Sequence, residues 1–487
     1  MILKELVEGL DILEIYGDIN ENITNIAYDS RKVRNGTLFV CIEGFKVDGH
    51  QYIAAAVENG VKALLVQKKV SVPEGITVIR VADTRLALAH VSNAFFENPS
   101  EKFKLYGVTG TKGKTTTTFM IKSILERKGQ KVGLIGTVAN YIGNETIPTE
   151  RTTPESYDLQ ALFGDMVEKN VDSVVMEVSS HALELHRVSC CKYDIGVFTN
   201  LTRDHLDFHE TFENYFNAKM KLFNMCEKAL INIDSDYGER AIEAASAACG
   251  KVYTFGINKK ADFKAINIVT HADSVEFDLV SPLGNGHLRV NIPGIFTVYN
   301  ALAAMGCCAL GGVSLEDIRD GLLNTRVPGR AEVVYTDDKF TVIVDYAHSP
   351  DSLENILKTI KDYSTGRVVC LFGCGGDRDK TKRPIMGEIS GRLADFTIIT
   401  SDNPRTEEPL SIVKDIEEGI KKTNGAYITI VDRKEAIKYS LENAQKGDII
   451  LLAGKGHETY QIFKDKTIHF DEREVVLELL GVCVNKK

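Results

Sequence analysis

"GVTGTKGKTTTTFM", residues 107–120, is the stretch whose reading decides the fold. A glycine-rich turn that runs into Lys114 and four threonines suits polyphosphate. Glycine leaves backbone N–H groups free to point inward, and the helix that follows turns its positive end to the anion. In such a loop the lysine reaches the terminal phosphates and the next hydroxyl, here Thr115, serves a magnesium ion. The usual pattern has a glycine where this chain has Val108, with Gly107 and Gly110 on either side. The reading is therefore a variant phosphate loop, with Gly110, Thr111, Lys112, Gly113, Lys114, Thr115 and Thr116 as candidates for ATP binding.

Outward from the loop, the order strand, glycine turn, helix continues. "TTTTFMIKSILERKGQ" predicts a helix closing on Gly129, and "DSVVMEVSS", "DIGVFTNL" and "ALINID" read as buried parallel strands. Residues 251–293 alternate in short strands, ahead of helices at "TVYNALAAMGCCAL" and "SLEDIRDGLLN". After "VPGRAEVV", five strands ("FTVIVDY", "RVVCLFG", "FTIITS", "AYITIVD", "DIILLAG") alternate with helix-length segments and predict a doubly wound sheet. Upstream, residues 1–98 mix short strands such as "GTLFVCIEG" with helices near 50–60 and 84–97, and end in the polar "FENPSEKF". The expectation is an α/β protein of three domains. Residues 1–98 form the first, 99–330 a central P-loop ATPase-like parallel sheet, and 331–487 a Rossmann-like doubly wound sheet.

Composition sets outer limits. A chain of 487 residues is too long for one core. Its 44% hydrophobic and 26% charged content is that of an ordinary globular protein. No early segment has the form of a secretory signal, and no run of about 18 apolar residues occurs, so the expected location is the cytoplasm, away from the membrane. The ten cysteines are scattered without a C-x-x-C pair, which favours free thiols in a reducing compartment. A formal net charge of −10 argues against a nucleic-acid partner.

Several polar clusters fall just after predicted strands, where ligands of α/β sheets bind. Glu177 in "MEVSSHALELHRV" is a candidate magnesium ligand, while Ser179 and Ser180 read equally well as helix caps. "NLTRDHLDFH" gathers Asp204, His205, Asp207 and His209. Lys219 and Lys221 lie on the helix beyond, and pattern alone makes them solvated lysines. In the last domain Asp345 and His348, the glycine-rich "FGCGGDRDKTKRP" with Arg378 and Arg383, Arg405 of "SDNPRTEEP" and Glu458 of "LLAGKGHETY" all follow strands. Each alone reads as a turn with a salt bridge, but their shared placement points to a site.

The ordered set "GVTGTKGKTT", "EVSSHAL", "NLTRDHLDFH", "YFNAKMKLF", "VYNALAA", "PGRAE", "DYAHSPDS", "GCGGDRD", "DNPR" and "GKGHE" resembles the bacterial Mur ligases across all three domains. Within them it is similar to the members that add 2,6-diaminopimelate as the third peptide residue of the peptidoglycan precursor. The resemblance implies ATP and Mg²⁺, with UDP-N-acetylmuramoyl-L-Ala-D-Glu and meso-diaminopimelate as substrates of a monomeric cytoplasmic enzyme. It implies that Ser30 and Phe45, Lys46 and Val47 hold the UDP-sugar, and that Thr152, Thr153, Ser179 and Arg187 contact the sugar peptide. Leu185 stands where some relatives carry a glutamine. Thr115, Glu177 and His205 match magnesium positions, and Asn300, Arg330 and Asp345 match nucleotide contacts. Lys219 matches a lysine carbamylated by CO₂, whose anionic oxygen joins the metal set and orients magnesium, and the resemblance makes Lys114, Lys219 and His205 the catalytic group.

The resemblance also places diaminopimelate at Arg378, Asp402, Asn403, Pro404, Arg405, Gly454 and Glu458. A guanidinium such as Arg405 grips the distal carboxylate that diaminopimelate has and lysine lacks. Three rivals stand beside this reading: a lysine-adding homologue, a folylpolyglutamate synthase-like ligase and a regulatory P-loop NTPase. "DNPR" counts against the first, and the first domain with its "DSRKV" segment against the second. The third leaves Arg378, Arg405 and Glu458 without a role.

Overall fold

The structure, a computed structural model, describes residues 1–482 except Lys46 and Ala272. The chain divides into two compact units, Met1–Lys264 with Leu302–Ile318, and Ala265–Ala301 with Arg319–Lys487. The fold is α/β throughout, built on three principal sheets.

The first unit opens with a five-stranded sheet of β1 (Ile12–Tyr16), β2 (Asn25–Ala27), β3 (Thr37–Val40), β4 (Ala63–Val66) and β5 (Thr77–Val81), in the order β1-β5-β4-β3-β2. Strands β2 to β5 are parallel and β1 closes the edge antiparallel. Both faces carry apolar clusters, as parallel strands require. The helix Thr84–Phe95 follows, started by the Asp83 carboxylate accepting from the amides of Arg85 and Leu86.

The same unit then forms the sheet predicted around the glycine loop. Its strands are β6 (Lys104–Thr109), β7 (Val132–Ile135), β8 (Asn140–Ile142), β9 (Glu145–Ile147), β10 (Ser173–Glu177), β11 (Tyr193–Phe198), β12 (Cys226–Asn232) and β13 (Lys251–Gly256). Their order is β13-β12-β11-β6-β10-β7-β8-β9, parallel from β13 to β7 with an antiparallel edge of β8 and β9. The glycine loop therefore leaves β6 at the centre of the sheet, between β10 and β11. Strand β14 (Phe263–Thr270) starts in parallel beside β13, with Phe255 opposite Phe263.

The second unit contains the antiparallel pair β15 (Val275–Val280) and β16 (Gly286–Val290), and the predicted doubly wound sheet. That sheet consists of β17 (Glu332–Thr336), β18 (Phe340–Asp345), β19 (Val368–Phe372), β20 (Phe396–Ile399), β21 (Tyr427–Thr429) and β22 (Asp448–Ala453), ordered β17-β18-β22-β19-β20-β21. All are parallel except the edge strand β17. Helices Pro350–Tyr363, Lys382–Leu393 and Pro409–Ile420 cover one face, and Arg433–Glu442 and Glu472–Leu479 the other. The nine described cysteines are free thiols, seven of them buried. Among the described residues no helix is long and apolar enough to cross a membrane.

Candidate active site

In the first unit the glycine loop spans the step from β6 to the helix Lys114–Arg127. A Cβ on Gly110, whose φ is +147°, would stand 1.9 Å from the Thr199 hydroxyl, so only glycine lets the loop approach β11 this closely. Gly107 serves a different purpose, since it lies within β6 against the ring of Tyr193. The loop is braced by residues the sequence reading passed over. Thr199 Oγ1 donates to Lys112 O at 2.7 Å, and Asn200 Oδ1 accepts from Lys112 N at 2.9 Å. Thr111 N donates to Asn200 O, and its hydroxyl lies 3.1 Å from Tyr215 Oη. Lys114 Nζ folds back on the loop, donating to Gly110 O at 2.9 Å and Thr111 O at 3.0 Å. Thr116 is half-buried on the first turn of the helix.

Thr115 Oγ1 donates to Glu177 Oε2 at 3.1 Å, and Glu177 is 1% exposed at the end of β10. A buried hydroxyl beside a buried carboxylate at the mouth of a phosphate loop is a hard-oxygen donor set, and it fits Mg²⁺ shared with substrate phosphates. Among the described residues no three His, Cys, Asp or Glu side chains gather as a metal cluster. Thr137, which the sequence reading missed, extends the set. Its amide and hydroxyl donate to Glu177 at 2.9 and 3.1 Å, and the hydroxyl lies 3.0 Å from Thr152 Oγ1.

Thr152 and Thr153 thus come directly beside the phosphate-loop machinery. Thr153 Oγ1 donates to Glu177 O at 2.8 Å and to Ser179 Oγ at 3.3 Å. Ser179 also caps its helix by accepting from Ala182 N, so the cap reading and the site reading describe the same residue. Arg187 Nη1 reaches Thr153 O, and its Nε lies 3.3 Å from Glu155. Glu155 is buried among three guanidiniums, those of Arg85, Arg151 and Arg187. Three cations around one carboxylate leave an excess of positive charge beside Thr153. Phe45, 77% exposed, meets the ring of Phe208 edge-on at 5.7 Å, and Val47 is also exposed. Ser30 begins a short 3₁₀ turn to Lys32. Lys46 lies outside the described residues.

Lys219 differs from its pattern reading. It is 1% exposed, because the helix Phe212–Met220 turns it inward with Tyr215 one turn earlier, and its Nζ sits 4.5 Å from that ring. Nζ donates to Gly110 O at 2.9 Å, the carbonyl that Lys114 also uses. Burial, with Lys114 adding to it, drives the Lys219 amine well below its ordinary basicity. Lys221 remains on the surface, paired with Glu184. His205 occupies a left-handed backbone position at φ +51° and lies within ring contact of His181. Burial lowers its basicity, and that of His181 to about 4, which favours the neutral imidazole that can bind a metal.

In the second unit the candidate residues meet at the C-terminal ends of β18, β19, β20 and β22. Asp345 accepts from the amides of Ala331 and Ala347 at 2.8 Å. The Arg330 guanidinium lies 5.0 Å from the centre of the Tyr346 ring, and His457 flanks that ring at 4.8 Å. Asn300 is carried by the helix Ile295–Leu310. The "GCGGDRD" loop packs on "DNPR": a Cβ on Gly376 would stand 1.9 Å from Pro404 O. Arg405, at φ +52°, donates from Nη1 to Gly376 O at 2.9 Å, and Arg378 Nη1 donates to Asp377 O of its own loop. Asn403 Nδ2 donates to Glu458 Oε2 at 2.8 Å, tying "DNPR" to "GKGHE". Asp402 and Gly454 open these two loops, with Asp402 buried and Gly454 at φ +112°. Arg383 belongs to the scaffold, fully buried and paired with Glu407 and Asp415.

Beneath the two loops Arg433 is buried with Glu472. Nε donates to Glu472 at 2.8 Å, Nη1 to Ser401 O and Nη2 to Ala453 O. One guanidinium therefore holds the residue before Asp402 and the residue before Gly454.

A phosphate loop with a hydroxyl–carboxylate pair, in a chain whose second sheet assembles arginine, amide and carboxylate loops, marks a class of ATP-dependent ligases. The chain matches the Mur ligase family catalytic domain over residues 22–96, the Mur ligase middle domain over 108–308 and the Mur ligase glutamate ligase domain over 329–456. It belongs to the Mur ligase family. It is 51% identical over 484 residues to UDP-N-acetylmuramoyl-L-alanyl-D-glutamate--2,6-diaminopimelate ligase of Clostridium perfringens, covering 99% of both chains. Against the Clostridium botulinum protein of the same name it is 52% identical over 96% of this chain and 97% of that one. A solved structure of a ligase of that name superposes with a TM-score of 0.74 at 31% identity, covering 99% of each chain. A Thermotoga maritima MurF ligase solved with ADP shares the fold at 19% identity and a TM-score of 0.61, over 94% of this chain and 97% of that one.

Proposed function

We propose that this protein joins 2,6-diaminopimelate to the D-Glu side-chain carboxylate of UDP-N-acetylmuramoyl-L-Ala-D-Glu at the expense of ATP, in the cytoplasmic synthesis of peptidoglycan precursor. The observation that carries the reading is the run of contacts Thr115–Glu177–Thr137–Thr152. It sets residues suited to phosphoryl transfer against residues suited to hold an acceptor. Names shared by full-length relatives at about half identity supply the particular substrates.

The division of labour follows the three domains: 1–98 for the UDP-sugar, 99–330 for ATP and 331–487 for the amino acid. An amine cannot displace oxide from a carboxylate, so one carboxylate oxygen first attacks the γ-phosphorus and ADP departs. The amine nitrogen then attacks the acyl carbon, a tetrahedral intermediate collapses, and phosphate leaves with the new amide formed and the amine proton lost. Lys114 and the loop amides stabilise the charge on the transferring group. Thr115, Glu177, His205 and the carbamate of Lys219 would hold Mg²⁺, which would neutralise phosphate charge. Burial lowers the basicity of Lys219 and so favours the unprotonated amine that CO₂ requires, and its carbamate would supply an anionic oxygen beside the loop. Arg330, Asp345 and Asn300 serve the nucleotide. Ser30, Phe45, Lys46, Val47, Thr152, Thr153, Ser179 and Arg187 serve the sugar peptide. Arg378, Asp402, Asn403, Pro404, Arg405, Gly454 and Glu458 serve diaminopimelate.

Phosphate release from ATP tests the reading, measured with the sugar peptide and either meso-diaminopimelate, L-lysine or no amino acid. Release that needs both the sugar peptide and diaminopimelate is expected. Preference for lysine would overturn the assignment of Arg405, and turnover indifferent to both substrates would overturn the ligase.

A further inference from the structure

The second unit buries a lysine that no assignment above uses. Lys455 follows Gly454 at the end of β22 and is 0% exposed. Its Nζ lies 3.1 Å from Glu458 Oε2, 3.3 Å from Asn403 Oδ1 and 3.6 Å from Asp402 Oδ1. Asp402 Oδ1 is itself buried without a hydrogen-bond partner, and among the described residues its ion pair is with Lys455. Asn403 completes the group, accepting from Lys455 and from Ile462 N while donating to Glu458.

Two carboxylates with little contact to water make a strong attractor for any cation, since their field is poorly screened. The side-chain end of L-lysine is a lone ammonium, and that of diaminopimelate is an ammonium with a carboxylate. With Lys455 between Asp402 and Glu458, half of the acid charge of the two loops is offset, while Arg405 on one of them and Arg378 on the neighbouring "GCGGDRD" loop stay as guanidiniums. Such a field repels a lone ammonium and accepts an end that brings its own carboxylate. We propose that Lys455 is a specificity-determining positioning residue: by offsetting one of the two negative charges of Asp402 and Glu458 it sets the preference for diaminopimelate over lysine. The proposal rests on the amino-acid site assigned above, and it adds rejection by charge to attraction by Arg405.

The test uses the full-length protein and its Lys455→Met and Lys455→Arg variants, with kcat/KM of phosphate release measured for diaminopimelate and for L-lysine at saturating ATP and sugar peptide. Lys455→Met is expected to lower the diaminopimelate-to-lysine ratio by about 10-fold or more, through a higher KM for diaminopimelate and a lower one for lysine. Lys455→Arg, which keeps the charge, is expected to restore most of the ratio. Equal losses for both amino acids, with the ratio unchanged, would overturn the proposal and leave Lys455 a structural residue. Should Lys455→Met fail to fold, Asp402→Asn gives the opposite sign: it leaves Lys455 less compensated and raises discrimination against lysine, and an unchanged ratio there also overturns the proposal. A wild-type protein that does not use diaminopimelate overturns the functional reading itself, whereas a selective wild type with an equally selective Lys455→Met overturns this inference alone.

Discussion

Two lysines, one in each unit, are buried to the same degree and surrounded in opposite ways. Lys219 beneath the phosphate loop has a carbonyl and an aromatic ring for company, and among the described residues no carboxylate within ion-pair reach. Lys455 beneath the "DNPR" and "GKGHE" loops has two carboxylates and an amide oxygen. Burial alone therefore does not define what a lysine does. Without a counter-ion it favours the neutral amine, a nucleophile; with counter-ions it becomes a fixed charge that shapes what may bind. The first environment suits chemistry and the second suits selection.

The comparison breaks most visibly at Lys219. Lys219→Met is expected to lower phosphate release by at least about 100-fold, the scale of losing an anchoring group at a transferring phosphoryl. Stripping CO₂ from the buffer should depress the wild type, added bicarbonate should restore it, and the variant should respond to neither. A wild type indifferent to CO₂ would remove the chemical role and leave a buried amine.

Arg405→Ala comes next. Losing a charge-assisted carboxylate contact is expected to raise KM for diaminopimelate about 10- to 100-fold, with the Kd of the sugar peptide unchanged by calorimetry. Equal loss of both would place Arg405 in the scaffold. Thr137→Val sharpens the first unit's side, since it removes the hydroxyl that joins Glu177 to Thr152 while keeping the backbone amide. A fall of about 5- to 10-fold in kcat is expected, the size of one lost hydrogen bond to a charged group.

The smallest effect is a pH dependence of stability. The Lys219 amine loses its proton in the folded state well below 10.5, whereas the unfolded chain holds it up to that value. Between these limits the unfolded state binds more protons, so stability rises with pH, and the gain is lost as pH falls toward the lowered folded value. In CO₂-free buffer, urea midpoints of wild type minus Lys219→Met should increase from neutral pH toward 10.5. A flat difference would mean that the folded lysine keeps its proton.

Most of the sheet architecture was legible because buried parallel strands write themselves as short apolar runs. "SVVME" and "DIILLA" are buried at every position, and both stand out in the sequence by their apolar centres alone. The glycine loop was legible for the same kind of reason, since close approach leaves glycine no substitute at Gly110. Thr137 was not, because a threonine after a strand has no periodic signature and its role depends on Glu177 arriving from another strand. Glu155 escaped likewise: Arg151 is four residues away, but Arg85 and Arg187 come from positions too distant for any local pattern. The inward turn of Lys219 had one faint signal, Tyr215 four residues earlier on the same helical face, which a polar neighbourhood of Asn214 and Asn217 masks.

Arg433 carries a consequence for anyone who would transplant this specificity. Because one guanidinium grips the carbonyls of Ser401 and Ala453, the segments that begin at Asp402 and Gly454 share a common root. A chimera that exchanges residues 402–405 alone would inherit a new sequence on an anchor tuned to the old partner segment. A change of amino-acid preference is expected from grafts that move 402–405 and 454–458 together, with Arg433 and Glu472 retained, and not from 402–405 alone.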